Sequence, residues 1–366
     1  MQKRKLEVSH ILYSNLGGAS NVVFSLIQQN NQKTYKENLI FTGPKFLKDY
    51  KKKANSLNIN FQFLKTIKYL HFLSWLNIFN SFKNMKPDII FIHNYQLIPA
   101  IIYKLIFSKK LIYVDHWNAN TQKIRKNIIG LLVKLFIEKV VVLNRDNYHF
   151  YKKKIKINKS RIFLIPNGID TKYYSNKRIK KRNNIFKIGM ATRLEGIEKI
   201  PDLVFEALNT VLLKKYRINF YLAGDGKRKK IIKEKIKNYN LNKSCFINGY
   251  LKENDLKNWY KSLDLYVHPT LGEAMSTSIL QAMSMNLPVL ASDVTGVNNM
   301  IGKKKYVGML FKNNEIDLAK KIEIFYNMNY KLKQKFSKTQ KKYLIKNHSS
   351  ELMFERYKQL ILKLLK

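Results

Sequence analysis

An acid and an amide stand eight residues apart in this chain, at Glu273 and Gln281. Residues eight apart on one α-helix are offset by roughly 80° beyond two full turns, so we expect both side chains on one helix face. Such a face can touch two parts of one anionic ligand. Apolar stretches at 265–268 and 289–291 flank the segment and predict a strand, loop, helix and strand of a parallel sheet. Ligands of such sheets lie outside the carboxyl ends of the strands.

Two cations precede another predicted helix. Arg193 follows a predicted strand at 187–190, Lys199 comes six residues later, and Pro201 and Asp202 begin the helix. A guanidinium, an ammonium and a helix N-terminus that converge on one spot form a site for a diphosphate. A single Arg or Lys in so basic a chain is ordinarily solvated, so this prediction rests on position in the sequence.

Glycines bound the loops after two other predicted strands. Gly17 and Gly18 follow the strand at 7–13 and open the first predicted helix, and Gly224 and Gly226 follow the strand at 219–223. Glycine permits positive φ and a close backbone approach, which suits a phosphate at the first loop and a base or ribose at the second. Both loops are equally typical of plain tight turns.

His116 is the histidine best placed to contact a substrate, because it follows the predicted strand at 111–114 and does not lie within a helix. A histidine bonded to neighbouring backbone is an equally good interpretation. His93 ends a wholly apolar strand, and we expect it to face the core.

The elements that position these residues alternate along the chain. Several apolar stretches lack the alternation of a half-exposed strand, which is typical of parallel strands covered on both faces, as in α/β domains. We predict helices at 21–30, 71–83, 99–107 and 123–138 in the first half, and strands at 7–13, 38–41, 60–64, 88–93, 111–114, 140–143 and 162–165. The second half has predicted strands at 187–190, 219–223, 245–247, 265–268, 289–291 and 308–310.

The length of 366 residues predicts two domains. The Lys-, Arg- and Asn-rich segment 170–184 has no apolar periodicity and is the predicted linker. The expected domains are therefore 1–169 and 170–348. The apolar stripe of the final segment 349–366 predicts a helix that packs back on the first domain.

The composition excludes several classes of protein. Hydrophobic residues make up 45% of the chain, which argues against disorder. The net charge of +45 suggests nucleic-acid binding, but the basic residues are dispersed and not clustered with aromatic residues on one element. Cys245 is the single cysteine and fits a reducing compartment. With no signal-peptide core and no apolar stretch of spanning length, we expect a cytoplasmic protein.

Six motifs together resemble glycosyltransferase family 4, in one fixed order from about residue 11 to the C-terminus. They are Gly17-Gly18, Asp115-His116, residues 166–170, Arg193 with Lys199, residues 223–226 and residues 273–281. The resemblance implies the GT-B fold, with two Rossmann-like domains facing across a cleft. It also implies transfer of a hexose or N-acetylhexosamine from a UDP- or GDP-sugar, with retention of anomeric configuration.

In that family the second domain holds the nucleotide. By position, the resemblance implies that Arg193 and Lys199 neutralise the leaving diphosphate, while Glu273 contacts the donor sugar. It places residue 281 at the ribose hydroxyls, where a second glutamate is usual and this chain has Gln281. An amide offers one neutral acceptor in place of a charged pair, so ribose binding should be weaker or the nucleotide different.

The first domain shapes the acceptor side in the family. His116 would contact the sugar, Gly17 and Gly18 would bring backbone to the diphosphate, and Gly224 and Gly226 of the second domain would line the nucleotide. Because positioned cations already stabilise a leaving diphosphate, we expect neither a metal nor another cofactor.

Two other functions stay open. The same fold could carry a sugar-nucleotide epimerase or an inverting transferase, since architecture alone does not fix the reaction. A basic nucleic-acid-binding protein is the alternative from another class.

The acceptor is inferred from basic and apolar residues of the first domain. Lysines at 51–53, 109–110 and 152–154, with an amphipathic helix around Phe72, Trp75, Leu76 and Phe79, suggest contact with an anionic membrane. A lipid-linked or glycan acceptor in bacterial surface polysaccharide assembly, at the inner face of the cytoplasmic membrane, is the setting that we expect. A solvated basic surface over an ordinary core helix fits equally well.

Overall fold

A computed structural model describes residues 4–14, 17–30, 34–66, 72–93, 96–117, 123–175, 185–210, 214–301 and 308–365. The chain divides into two compact units. The first comprises Met1–Gly168 with Ser350–Lys366, and the second comprises Ile169–Ser349. Within the described ranges, no helix combines the length and the apolar content needed to cross a bilayer.

A parallel sheet of seven strands forms the centre of the first unit, in the order β3-β2-β1-β4-β5-β6-β7. Its strands are β1 (Glu7–Tyr13), β2 (Lys36–Gly43), β3 (Asn60–Lys65), β4 (Ile89–His93), β5 (Lys110–Asp115), β6 (Lys139–Val142) and β7 (Ile162–Leu164). The register pairs His10 with Phe91 and His93 with Val114, so β1, β4 and β5 run side by side.

Helices cover both faces of this sheet, and the alternation of side chains along each strand decides which core each residue joins. Ile40 packs in one core with helices α3 (Phe72–Met85), α4 (Leu97–Phe107) and α5 (Lys123–Phe136). Leu39 and Phe41 point to the opposite face, against α1 (Gly18–Gln28) and α2 (Lys48–Ser56). The short helix α6 (Arg145–His149) follows β6.

The second unit has a parallel sheet of six strands in the order β10-β9-β8-β11-β12-β13. Its strands are β8 (Phe186–Ala191), β9 (Ile218–Ala223), β10 (Cys245–Gly249), β11 (Leu265–His268), β12 (Val289–Ser292) and β13 (Met309–Phe311). The helices are α7 (Asp202–Asn209), α8 (Lys229–Asn238), α9 (Glu253–Ser262), α10 (Thr277–Ser284), α11 (Val297–Ile301), α12 (Glu315–Asn327) and α13 (Tyr330–His348). The last helix of the chain, α14 (Ser350–Leu365), belongs to the first unit.

Both strand orders are those of a Rossmann-like fold, so the predicted fold class is confirmed. The predicted strands coincide with the observed ones to within two residues at most ends, because parallel strands buried on both faces are continuous apolar runs. The short helix α2 was missed, since its lysine-rich sequence buries only Tyr50 and Ala54.

Three predictions require correction. Glu273 does not lie on the helix with Gln281, because α10 begins at Thr277. The start of the predicted linker is a turn whose Tyr174 is buried in the core of the second unit, while residues 176–184 lie outside the described ranges. The lysines at 51–53 lie on α2, across the sheet from α3, so they do not share one face with Phe72 and Leu76.

Candidate active site

The strand order of the second sheet reverses between β8 and β11, which is where open parallel sheets bind ligands. The loop after β8 carries Arg193 and Lys199, and the loop after β11 carries Glu273. Topology therefore brings these three residues to the same edge of the sheet, although 80 positions separate Arg193 from Glu273 in the sequence.

Backbone hydrogen bonds join the two loops. The amide of Leu271 donates to the carbonyl of Glu198 at 2.8 Å, and the amide of Ile200 donates to the carbonyl of Pro269 at 3.3 Å. The Thr270 hydroxyl donates to the same Glu198 carbonyl at 2.9 Å. This pairing fixes Lys199 beside Glu273, and their side chains form an ion pair.

Arg228 holds the loop that carries Lys199. Its guanidinium donates to the carbonyl of Gly196 at 3.0 Å, to the carbonyl of Lys199 at 2.9 Å and to the carboxylate of Asp202 at 3.0 Å. A planar guanidinium is suited to such divergent contacts. Arg228 was not predicted from the sequence, because its partners lie about thirty residues away and are mostly backbone atoms.

Glu273 is oriented by a buried histidine. Oε1 of Glu273 lies 2.8 Å from Nε2 of His268, and Nδ1 of that ring lies 3.3 Å from the Tyr266 hydroxyl. Burial, and after it the charge of Lys199, lower the pKa of His268 well below its usual range, so the ring is neutral. A neutral imidazole donates at one nitrogen and accepts at the other, which gives Glu273 and Tyr266 complementary roles.

Gly296 makes room for the backbone of Glu273. Its φ is +85°, and a Cβ at this position would lie 1.7 Å from the Glu273 carbonyl oxygen. Only glycine fits this position, for reasons of both conformation and space. Gly296 was not among the residues predicted from the sequence.

Lys199 and Arg193 concentrate positive charge at this edge. Burial, and after it the charge of Arg193, lower the pKa of Lys199 to about 7, against a smaller opposing effect of Glu198. The Arg193 side chain is exposed. The two cations repel each other, and the carboxylate of Glu273 lies beside Lys199. An anion bound here therefore stabilises the protonated form of Lys199.

The glycines after β9 serve the packing of loops. Gly224 has a φ of +142°, and its Cβ would lie 1.8 Å from the Thr192 carbonyl oxygen. Gly226 has a φ of +153°, and its Cβ would lie 2.5 Å from the Leu194 carbonyl oxygen. Both glycines therefore let the loop after β9 lie directly against the loop that carries Arg193.

Gln281 is buried inside the second unit. Its amide nitrogen donates to the Tyr174 hydroxyl at 2.9 Å, and its amide oxygen accepts from the Tyr260 hydroxyl at 3.1 Å. The amide keeps a second N–H and a second oxygen lone pair for a ribose hydroxyl beside the two tyrosines. Since Gln281 is on α10 and Glu273 precedes it, the shared helix face expected from the spacing does not exist.

The remaining sequence-predicted residues lie in the first unit. Gly17 is the N-cap of α1 with a φ of −110°, and Gly18 is the first residue of that helix. Neither glycine uses the positive φ that glycine permits, and both lie at a helix N-terminus.

A buried ion pair holds the segment that carries His116. Asp115 and Lys126 are each 1% exposed, and Oδ2 of Asp115 lies 3.1 Å from Nζ of Lys126. The Asn147 amide donates to the same Asp115 oxygen at 3.1 Å and to the carbonyl of Trp117 at 2.6 Å. His116 itself is half-buried, and its Nε2 lies 2.9 Å from Nδ1 of His93. His93 is buried, as expected.

Among the described residues, no group of three or more His, Cys, Asp and Glu side chains is arranged to hold a metal ion. The edge of the second sheet presents two cations and one oriented carboxylate. Such a set can neutralise a diphosphate and contact a polar group attached to it.

Two family models match consecutive parts of the chain. The model described as Glycosyltransferase Family 4 matches residues 16–173, and the model described as Glycosyl transferases group 1 matches residues 175–343.

Relatives of known description are distant in sequence. An Escherichia coli protein described as UDP-Gal:alpha-D-GlcNAc-diphosphoundecaprenol alpha-1,3-galactosyltransferase is 24% identical over 340 residues, which cover 86% of each chain. The alpha-monoglucosyldiacylglycerol synthase of Streptococcus pneumoniae is 25% identical over 221 residues, which cover 56% of this chain and 48% of that protein.

Solved structures share the fold over nearly the whole length. A glycosyltransferase from Rickettsia africae has a TM-score of 0.83 at 18% identity and covers 99% of both chains. Anabaena Alr3699/HepE in complex with UDP and glucose has a TM-score of 0.83 at 14% identity, covering 98% of this chain and 100% of that chain. From its two matching family models and this fold, the chain belongs to glycosyltransferase family 4 and is a glycosyltransferase of the GT-B type.

Proposed function

We propose that this glycosyltransferase is a retaining enzyme that moves a hexose or N-acetylhexosamine from a UDP- or GDP-sugar to a glycan or lipid-linked acceptor. The observation that carries the proposal is the convergence of Arg193, Lys199 and Glu273 at the switch point of the second sheet. Arg193 and Lys199 take the diphosphate, whose negative charge grows as the sugar leaves. Glu273, held by His268, takes a hydroxyl of the donor sugar.

The other donor contacts follow by position. Gly224 and Gly226 belong to the nucleotide side, and the Gln281 amide contacts a ribose hydroxyl. In the first unit, backbone amides at the helix N-terminus formed by Gly17 and Gly18 contact the diphosphate. The imidazole of His116 contacts the donor sugar. Developing charge on a diphosphate needs positioned cations, so we propose catalysis without a metal.

The acceptor class is proposed from the relatives. One relative is described as acting on a diphosphoundecaprenol-linked sugar, and another as synthesising a glycosyl diacylglycerol, so both names contain a lipid. Assembly of a bacterial surface polysaccharide or glycan at the inner face of the cytoplasmic membrane fits this acceptor class.

The outer surface of the first unit supports membrane contact. Helices α3, α4 and α5 pack side by side on one face of the sheet and expose large apolar side chains away from it. We call these the apolar outer face: Phe72, Leu73, Leu76, Ile102, Leu105, Ile106, Phe107, Ile128, Leu131 and Leu135. Lys134 lies on α5, so an anionic bilayer matches both the apolar area and this charge.

A donor screen tests the enzymatic proposal. Purified protein is incubated with individual UDP- and GDP-sugars, and release of the nucleoside diphosphate is followed with and without a chelator. We expect slow hydrolysis of one donor, lost in Glu273→Ala and Arg193→Ala and retained in the exposed controls Glu234→Ala and Arg217→Ala. If no donor is hydrolysed, or if hydrolysis requires added magnesium or manganese, the proposal is contradicted.

Product stereochemistry separates the proposed reaction from its alternatives. With an acceptor found, proton NMR of the new linkage should show the anomeric configuration of the donor. An inverted product would indicate an inverting transferase, and an epimerised nucleotide sugar would indicate an epimerase. Retention on DNA that survives moderate salt would favour the nucleic-acid alternative.

Cosedimentation with vesicles tests the membrane contact. The protein should bind vesicles rich in phosphatidylglycerol, and Leu105→Glu on the apolar outer face should weaken that binding. Ile316→Glu, at an exposed apolar position of α12 in the second unit, is the control. Equal binding by the two variants refutes the assignment of this face.

A further inference from the structure

Three histidines of the first unit form a hydrogen-bonded chain on one face of the sheet. His10 lies in β1, His93 ends β4 and His116 follows β5, and these strands are neighbours. Nδ1 of His10 lies 3.1 Å from Nε2 of His93, and Nδ1 of His93 lies 2.9 Å from Nε2 of His116. Each ring therefore uses opposite nitrogens to reach the next.

The inner end of this chain faces a buried carboxyl. Nε2 of His10 and Oε1 of Glu37 lie 3.9 Å apart, and neither atom has a hydrogen-bond partner among the described residues. Glu37 is in β2, and its side chain is 5% exposed. Its other oxygen accepts from the Asn30 amide at 3.2 Å. The four groups step across four adjacent strands, a span of about 14 Å at ordinary strand spacing.

All three histidines are neutral. Burial lowers the pKa of His10 to about 3 and that of His116 to about 4. Burial, and after it the repulsion that a protonated His116 or His10 would exert, place the pKa of His93 well below its usual range. A neutral imidazole carries one proton, so the chain must run with every N–H pointing the same way.

Glu37 lies among groups that do not favour its charge. Burial raises its pKa to about 8, and the hydrogen bond from Asn30 opposes this shift. Tyr35 interacts electrostatically with it, and Tyr357 and Glu355 of α14 interact with that tyrosine in turn. These neighbours are neutral or negative, and His10 of β1 is neutral as well.

We infer that Glu37, His10 and His93 are positioning residues that determine, through the hydrogen-bonded chain, which nitrogen of His116 carries its proton. With Glu37 protonated, its O–H points to Nε2 of His10, and Nδ1 of each histidine carries the proton that points onward. His116 is then protonated on Nδ1.

Ionisation of Glu37 reverses the chain with one proton lost overall. The proton on Nδ1 of His116 leaves, and two others move along the hydrogen bonds from His93 to His116 and from His10 to His93. The proton of Glu37 passes to Nε2 of His10 when the 3.9 Å separation between these atoms closes. His116 is then protonated on Nε2, with a lone pair on Nδ1, and the negative charge is on Glu37. The shift needs no oxidant or other reactant.

The use of this device rests on the function proposed above. If His116 contacts an oxygen of the donor, the protonated state of Glu37 makes Nδ1 a hydrogen-bond donor to that oxygen. The ionised state makes it an acceptor, which repels the oxygen. The chain itself is a property of the first unit and does not depend on that function.

Nitrogen NMR of the full-length wild-type protein tests the chain directly. The imidazole ¹⁵N shifts of His10, His93 and His116 report which ring nitrogen is protonated. We expect the three rings to change tautomer together between pH 6 and pH 10, with one midpoint near the pKa of Glu37, about 8. A His116 tautomer that stays constant over this range overturns the inference, and no variant is needed for that result.

Two variants and a control variant test whether Glu37 causes the change of the His116 tautomer. Glu37→Gln cannot ionise, so the His116 tautomer should become independent of pH, and His93→Phe should separate His116 from Glu37. Glu7→Gln changes a carboxylate of the neighbouring strand that pairs with Lys36 and should leave the transition as in the wild type. A His116 transition that persists in Glu37→Gln would show that another group controls it.

The pH profile of donor hydrolysis separates failure of the chain from failure of the proposed function. The alkaline limb of kcat should move in Glu37→Gln and stay in place in Glu7→Gln. Coupled tautomers without any turnover would support the chain and contradict the proposed function. Donor turnover whose pH profile is unchanged in Glu37→Gln, together with uncoupled tautomers, would support the proposed function and contradict the chain.

Discussion

Donor binding should weaken as the pH rises through 7, because Lys199 must be protonated to hold a diphosphate. Burial and the charge of Arg193 lower the pKa of Lys199 to about 7 in the protein without donor. A bound diphosphate beside the ammonium raises that pKa again, so binding above pH 7 takes up a proton from solution. The expected sign is therefore tighter binding at low pH.

The magnitude follows from the pKa. If only protonated Lys199 binds, the apparent Kd grows as 1 + 10^(pH − 7), which amounts to about a tenfold increase from pH 6 to pH 8. Removal of the ammonium in Lys199→Met should cost about 1.5–3 kcal/mol at pH 6, the usual range for a hydrogen bond to a charged group. The same variant should lose the pH dependence.

Isothermal titration calorimetry with the nucleotide sugar identified in the donor screen measures both effects. A nucleotide sugar is the right probe, because its diphosphate has no group that titrates near pH 7. Lys243→Met, at an exposed position of the second unit, is the matched control and should keep the wild-type slope. A slope that survives in Lys199→Met would refute the assignment of the titration to this lysine.

Three further predictions concern packing and the nucleotide side. Gly296→Ala should lower the free energy of unfolding in urea by at least about 2 kcal/mol more than Gly249→Ala, because both have positive φ but only at Gly296 does the new Cβ meet a backbone atom. Asp115→Asn should cost about 3–5 kcal/mol in the same assay by leaving the Lys126 charge buried without its partner, and a loss under 1 kcal/mol would contradict that pairing. Gln281→Glu should leave the protein folded and lower the donor KM or leave it unchanged, and a large rise in KM would show that the site is built around the amide.

Much of the architecture follows from local sequence. Parallel strands buried on both faces produce uninterrupted apolar runs, so β1 and β11 were predicted with their observed bounds. Residues that directly follow a strand, such as Arg193 and His116, could be placed at a sheet edge on that basis. The position of Lys199 near the start of α7 was predicted in the same way.

Other features depend on contacts that sequence spacing does not report. Glu273 and Gln281 are eight apart, but the segment before Thr277 is paired with other loops and is not helical. Arg228 supports the Lys199 loop through carbonyl oxygens, which leave no mark in the sequence. Gly17 and Gly18 permit positive φ, yet helix α1 starts there with ordinary backbone angles.

The sequence by itself determined the two α/β units, the strands that carry the candidate residues and the family, because periodicity and short motifs are local properties. Tertiary structure alone decided which of those residues meet. It paired Lys199 with Glu273 through the parallel strand order, and it enclosed Gln281 between two tyrosines. It also aligned His10, His93 and His116 on one face of three neighbouring strands. Such contacts depend on strand order and register, which arise only when the whole sheet forms.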